Sequence, residues 1–197
     1  MNDAGALKVT TPTDREIVLT RVFDAPRRLV FDAWTRPELL RRWYGARGWN
    51  LVVCEADLRV GGRWRFVSRG PGGEEMGQGG VYRVVSPPGR LVCTEMFDDQ
   101  SYPGETLVTH EFVERDARTT LTSTVLYATR EGRDIVLRRP MARGVAEGYD
   151  RLTEVLAEPP GRAGARRSGH DDPGPVPGDR DMTTPRAGTG PGPATRR

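Results

Sequence analysis

Apolar and polar residues alternate over residues 15–23 and again in six segments between residues 51 and 127. A period of two is typical of β-strands that bury one face. Turn signals separate the six later segments, including a Pro-Pro-Gly sequence at residues 87–89 and a glycine-rich stretch at residues 69–80 that is interpreted as a long loop. The connections suit antiparallel neighbours, so the pattern predicts about seven antiparallel strands.

Two short helices are predicted between the first strand and the other six. The first is expected to begin near Pro26 and the second near Pro37, because proline fits the first turn of a helix. Three of the chain's four tryptophans lie in or just after these helices, at Trp34, Trp43 and Trp49. Aromatic side chains on two short helices ahead of a sheet indicate a helical gate over a curved sheet.

The last predicted element is a long C-terminal helix. One apolar stripe runs along it at spacings of three and four, formed by Met141, Val145, Tyr149, Leu152 and Leu156. Pro140 predicts a kink or a fresh helix start, because a proline ring clashes with the carbonyl group four residues earlier.

These elements predict an α+β fold in the order one strand, two helices, six strands and one helix. An antiparallel sheet of this width cannot leave its apolar face in water, and the C-terminal helix supplies the stripe that covers it. A single helix leaves part of a wide, curved sheet uncovered. We therefore predict a curved antiparallel sheet wrapped around the helix, with a cavity between them.

Composition divides the chain into three parts. Residues 159–197 contain half of the 16 prolines and a third of the 24 glycines, with too few apolar residues to offset the entropy of ordering. We predict a disordered Pro/Gly/Arg-rich tail there, a flexible segment at residues 1–12 and a folded domain at residues 13–158. The tail carries the whole net charge of +3, so the domain is neutral and no specific nucleic-acid partner is expected.

The two cysteines, Cys54 and Cys93, are far apart and form no CxxC pair. This spacing predicts neither a disulfide scaffold nor a metal site, and no motif for a cofactor is present. The N-terminus has no apolar stretch of signal-peptide length, and no window reaches the ~20 apolar residues of a membrane span. We therefore expect a cytoplasmic protein.

Seven short motifs mark the folded part of the chain: FDAP at residues 23–26, VFDAW at 30–34, PELL at 37–40, DLRVGG at 57–62, GVY at 80–82, PPGRL at 87–91 and EGYDRL at 147–152. With the element order, they resemble the START/Bet v 1-like (SRPBCC) superfamily, and within it the bacterial family named for the C-terminal domain of the activator of Hsp90 ATPase. The resemblance implies the helix-grip fold and a central cavity that binds hydrophobic or aromatic small molecules. It also implies that a few members act as cyclases or resistance proteins, and that the eukaryotic namesake binds a chaperone.

The cavity lining is predicted to combine apolar area with polar groups at ring edges. Twelve side chains are expected there: Trp34, Trp43, Tyr44, Trp64, Phe66, Tyr82, Met96, His110, Phe112, Tyr127, Met141 and Tyr149. For each of them taken alone, packing in the core is the alternative interpretation.

His110 is the candidate acid/base group, and no other catalytic residue is predicted. It shares a strand face with Val108 and Phe112, which places it in the cavity if that face points inward. The alternatives are a hydrogen-bonded structural histidine and an outward orientation. Glu95 alternates with Cys93, and both an inward carboxylate and an exposed one remain open.

The sequence leaves three functions open. The first is the binding of a small hydrophobic or aromatic molecule between the sheet and the C-terminal helix. The second is a cavity enzyme, such as a cyclase, dehydratase or hydrolase, that uses His110 as acid or base. The third is a protein-interaction module like a chaperone regulator, and edge strands of the sheet could also pair in a homodimer.

Overall fold

The computed structural model describes residues 5–99 and 102–158. The predicted tail at residues 159–197 lies outside the described residues, as do the first four residues of the predicted flexible segment. The strands are β1 (Lys8–Thr10), β2 (Glu16–Phe23), β3 (Asn50–Ala56), β4 (Arg63–Arg69), β5 (Glu75–Ser86), β6 (Arg90–Phe97), β7 (Thr106–Arg115) and β8 (Arg118–Leu126). The helices are α1 (Arg27–Thr35), α2 (Pro37–Trp43), α3 (Arg130–Leu137) and α4 (Met141–Leu156).

The described strands form one antiparallel sheet in the order β1-β2-β8-β7-β6-β5-β4-β3. Strands β3 to β8 follow one another as neighbours, whereas β2 lies beside β8. Helices α1 and α2 therefore carry the chain from β2 to the far edge of the sheet at β3. Register shifts between β3 and β4 and between β5 and β6 mark irregularities of the kind that bend a strand, which curves the sheet.

Two parts of the sheet differ from the prediction. The sheet has eight strands, not about seven, because Lys8–Thr10 in the segment predicted as flexible pairs with the edge of β2. This strand has three residues, of which only Val9 is apolar, so it is too short for an alternating pattern to be recognised in the sequence. Strand β5 begins at Glu75, inside the stretch interpreted as a long loop. Its glycines are typical of a loop, but at Gly79 and Gly80 a Cβ atom would meet the backbone of a neighbouring strand, so glycine is needed in the strand there.

Strand β2 contacts helix α4 through its buried face. Ile17, Leu19 and Phe23 are buried there, as the alternation predicts. Arg21 is also buried on this face, and its guanidinium group lies 2.7 Å from the carboxylate of Asp150 on α4. A buried cation among apolar residues is tolerated here because the carboxylate of Asp150 pairs with the guanidinium group of Arg21.

Helices α1 and α2 are part of the core. Pro37 lies at the start of α2, with Glu38 in the first turn, where a negative charge complements the helix dipole. The indole N–H of Trp43 donates a 2.8 Å hydrogen bond to the carbonyl oxygen of Ala33, and the rings of Trp34 and Trp43 are 4.6 Å apart. The two helices thus form a packed wall over the sheet.

The C-terminal region forms two helices in place of one. Thr129 caps α3 by accepting a 3.1 Å hydrogen bond from the backbone N–H of Gly132. The chain leaves the helical path before Pro140, and α4 begins at Met141, which confirms the predicted fresh start. Among the described residues, no helix is long and apolar enough to cross a membrane.

Candidate ligand-binding site

A cavity of about 540 Å³ lies between one face of the sheet and helices α1 to α4. Its size falls within the range of small-molecule sites in proteins. Eleven aromatic residues border it, contributed by the sheet, by α1, α2 and α4, and by the segments that join them: Trp34, Trp43, Tyr44, Trp49, Trp64, Phe66, Tyr82, Phe97, Tyr102, Tyr127 and Tyr149. The strands supply about half of the wall, and the helices and connecting segments supply the rest.

Ten of the twelve side chains predicted from the sequence border this cavity: Trp34, Trp43, Tyr44, Trp64, Phe66, Tyr82, His110, Tyr127, Met141 and Tyr149. They come from α1, α2, α4, three strands and the segments that follow α2 and β8, so the fold brings together residues that are more than 100 positions apart. Several rings contact one another, for example Trp34 with Tyr149 at 5.6 Å and Tyr44 with Phe66 at 5.2 Å between centroids.

Met96 and Phe112 do not border the cavity. Met96 is 51% exposed, because Glu95 and Phe97 on either side of it point into the cavity and strand alternation turns Met96 to the opposite face. Phe112 is on the inner face but is only 1% exposed, since Phe31 packs against it at 5.4 Å between ring centroids. It is a core residue beside the cavity.

The sequence pattern did not reveal several other cavity residues. Ser123 and Gln78 are buried polar residues in the wall, and Tyr102 reaches it from the connection between β6 and β7. Gln78 was hidden because its strand reads as a loop. Ser123 has a signal in the sequence, since it shares an alternating face of β8 with Leu121 and Val125.

His110 belongs to a chain of polar groups along one side of the cavity. Its Nδ1 atom lies 2.8 Å from Oγ of Ser123, which in turn lies 3.5 Å from the hydroxyl of Tyr149. The Trp34 ring is 5.1 Å from the imidazole. Burial lowers the pKa of His110 to about 4, so the ring is neutral at pH 7 and offers hydrogen bonds instead of charge.

Glu95 and two neighbours form a second polar region. The side-chain amide of Gln78 donates a short hydrogen bond to the hydroxyl of Tyr44, and all three residues border the cavity. Burial raises the pKa of Glu95 to about 7, and this carboxyl makes no side-chain hydrogen bond within the residues that the structure describes. Its acid form and its anion are therefore both populated at neutral pH.

The segment between α2 and β3 completes the wall and is held in place by Arg151 of α4. Nη1 of Arg151 donates hydrogen bonds of 3.1–3.3 Å to three carbonyl oxygens, those of Gly45, Ala46 and Trp49. Nη2 donates a 3.0 Å bond to the carbonyl oxygen of Arg42. One guanidinium group thus binds four backbone acceptors, which fixes the aromatic residues of this segment.

The wall offers apolar contact and hydrogen bonds, with little nucleophilic chemistry. Burial raises the pKa of the Cys93 thiol far above its ordinary value, which keeps it uncharged. In the part of the chain that the structure describes, no three His, Cys, Asp or Glu residues are grouped to hold a metal ion.

An antiparallel sheet wrapped around a C-terminal helix, with a cavity between them, is the helix-grip architecture of START/Bet v 1-like proteins. The family model described as Activator of Hsp90 ATPase homolog 1-like protein matches residues 24–157. The chain belongs to this family. Hydrophobic ligands are commonly bound in the wider superfamily, and the family itself is associated with ligand or protein binding.

Solved structures support the same assignment. A crystal structure from Rhodobacter sphaeroides is 34% identical over 77% of this chain and 98% of that chain, with a TM-score of 0.73. A solution structure from Arthrobacter aurescens is 23% identical over 83% of this chain and 98% of that chain, with a TM-score of 0.69, and this likeness shows the fold alone. No curated protein matches the sequence.

Proposed function

We propose that the protein binds a small hydrophobic or aromatic molecule in the cavity between the sheet and α4. The cavity itself is the observation that carries this proposal. Small-molecule sites are concave and mostly apolar, and they usually measure about 300–1,000 Å³. A cavity of about 540 Å³ bordered by eleven aromatic residues has this size and this kind of lining.

The walls suit an apolar guest with a polar group. Transfer of apolar surface from water to this wall favours binding by roughly 25 cal/mol per Å². Two regions can orient the guest, His110 with Ser123 on one side and Glu95 near Tyr44 on the other. A few polar groups in an apolar pocket are the usual composition of a small-molecule site.

The first prediction concerns a cavity-filling variant. Val125 on β8 borders the cavity, so Val125→Phe should place a ring where the ligand would lie. We expect binding of the neutral probe 2-naphthylmethanol, measured by calorimetric titration, to weaken at least tenfold. The melting temperature should change little, because a ring added to open space does not overpack the core.

The matched control is Val113→Phe on β7, since Val113 is 58% exposed and does not border the cavity. It should bind the probe as the unmodified protein does. Failure of the unmodified protein to bind 2-naphthylmethanol, or equal binding by Val125→Phe, would contradict the proposal.

The cavity enzyme is the second candidate, because His110 faces the cavity beside another polar group, Ser123. A general acid or base works best with a pKa near the working pH. Burial lowers the pKa of His110 to about 4, which makes the ring a weak base and leaves almost none of the imidazolium form that acts as a general acid at neutral pH. Binding is therefore the better supported of the two functions.

A further inference from the structure

Among the described residues that border the cavity, Glu95 is the only one with a carboxyl group. It lies on β6 between Cys93 and Phe97, and both of these neighbours also border the cavity. Glu95 is half-buried, and its carboxyl makes no side-chain hydrogen bond within the described residues, so it stays accessible to a group that enters the cavity. The missing partner is what a ligand would supply.

The groups around Glu95 do not neutralise it. Four uncharged acids lie close enough for its charge to raise their pKa values: Tyr44 after α2, Cys93 of β6, Tyr102 before β7 and Tyr127 after β8. His110, across the cavity on β7, is neutral at pH 7. Arg139, between α3 and α4, borders the cavity but already has a partner, and burial alone accounts for the raised pKa of Glu95.

The aromatic wall favours a positive charge as well. The faces of Trp, Tyr and Phe rings carry negative potential and attract ammonium groups within about 6 Å. Tyr44, Tyr102 and Tyr127 border the cavity, and each lies close enough to Glu95 for the charge of the carboxylate to act on it. A carboxylate and several rings around one space therefore select cations over anions.

We propose that the cavity takes a hydrophobic amine in its protonated form, with the ammonium group on the Glu95 carboxylate and the apolar part among the aromatic rings. This inference rests on the proposed ligand-binding function. It names a class of ligand and excludes a hydrophobic carboxylic acid, whose anion would face the Glu95 charge in a medium of low dielectric constant.

Amine binding should move one proton. When an ammonium ion meets the acid form of Glu95, the O–H bond breaks, the carboxylate pairs with the ammonium group and the proton leaves for the solvent. Because the pKa of Glu95 in the free protein is about 7, most molecules carry this proton at pH 6 and few carry it at pH 8.5. Proton release should therefore be close to one per bound amine at pH 6 and small at pH 8.5.

The experiment compares three probes of one shape: 2-naphthylmethylamine, 2-naphthylmethanol and 2-naphthoic acid. At pH 8 we expect the amine to bind at least tenfold more tightly than the alcohol, and the acid at least tenfold more weakly. Glu95→Gln keeps the shape of the side chain and removes its charge, so amine and alcohol should then bind within about threefold of each other. Titration in buffers of different ionisation enthalpy at pH 6 should show proton release that Glu95→Gln abolishes.

The control is Glu55→Gln on β3, where the carboxyl is exposed and does not border the cavity. This variant should keep both the amine preference and the proton release. If the alcohol fails to bind, the ligand-binding function itself is wrong. If the alcohol binds but the amine is no tighter, or its preference survives Glu95→Gln, the binding function stands and the amine inference is overturned.

Discussion

At the residue scale, the cavity depends on side chains held in their uncharged forms. His110 is neutral because burial disfavours its cation, and its Nδ1 lies 2.8 Å from Oγ of Ser123. Burial also raises the pKa of Tyr149 to about 12. Groups of this kind can orient a guest by hydrogen bonds without the large cost of burying a charge.

The titration of His110 separates binding from catalysis. We expect its imidazole signal, followed by NMR from pH 3.5 to pH 8, to titrate near pH 4, since the apolar surroundings disfavour the protonated ring. His170 is the other histidine of the chain, so the variant His170→Gln leaves a single imidazole signal to follow. A value between 6 and 8 would instead favour the acid/base role and the enzyme alternative.

The orientation of individual side chains shows what the sequence could decide. Alternation along β6 places Cys93, Glu95 and Phe97 on one face and Met96 on the other, so the prediction that Met96 lines the cavity conflicts with the strand pattern itself. Whether the Glu95 face pointed inward could not be decided, because a carboxyl group is exposed in most strands. The neighbouring rings, brought in from distant parts of the chain, supply the missing information.

At the element scale, glycines and short strands set the limit of prediction. Gly80 lies within β5, where a Cβ atom would come 1.9 Å from the carbonyl oxygen of Thr94 on β6. Only glycine permits this approach, and the same glycines make the segment resemble a loop. The strands with continuous alternation, such as β2 and β8, are recognisable because each buries one regular face.

The attachment of α4 to the segment after α2 depends on one side chain. Arg151→Lys should destabilise the protein by about 2 kcal/mol, because a single ammonium group cannot reproduce the planar fork that binds four carbonyl oxygens. Binding of 2-naphthylmethanol should weaken as well, since Tyr44 and Trp49 border the cavity from this segment. Urea denaturation and calorimetric titration measure the two effects.

Arg143→Lys is the matched control on the same helix. Arg143 is exposed and forms a 3.0 Å ion pair with Glu147, one turn along the helix. Exposed pairs of this kind contribute about 0.5 kcal/mol or less, so this variant should be nearly as stable as the unmodified protein. Equal stability of the two lysine variants would show that the Arg151 contacts do not hold the segment.

At the scale of the whole molecule, the free energy of unfolding should carry opposite contributions from the two cavity groups. The folded protein holds the Glu95 proton more tightly than the unfolded chain, so the Glu95 contribution falls as pH rises from about 4.5 to about 7. The folded protein resists protonation of His110, so the His110 contribution rises from about pH 4 to about pH 6.5. Between pH 4.5 and pH 6.5 the two slopes oppose each other.

Replacing Glu95 should therefore reveal the rise of the free energy of unfolding with pH that His110 contributes and that Glu95 offsets in the unmodified protein. Relative to that protein, Glu95→Gln should gain about 3 kcal/mol in the free energy of unfolding between pH 4.5 and pH 8, because the variant no longer buries an ionised carboxyl. Urea denaturation at pH 4.5, 6 and 8 measures the gain, and the common contributions of the surface carboxylates cancel in the difference. The free energy of unfolding of Glu55→Gln should change with pH in the same way as that of the unmodified protein. If the free energy of unfolding of Glu95→Gln also changes with pH as that of the unmodified protein does, the Glu95 carboxyl is solvated in the folded protein. The cavity would then lack the low dielectric constant on which the preference for an amine depends.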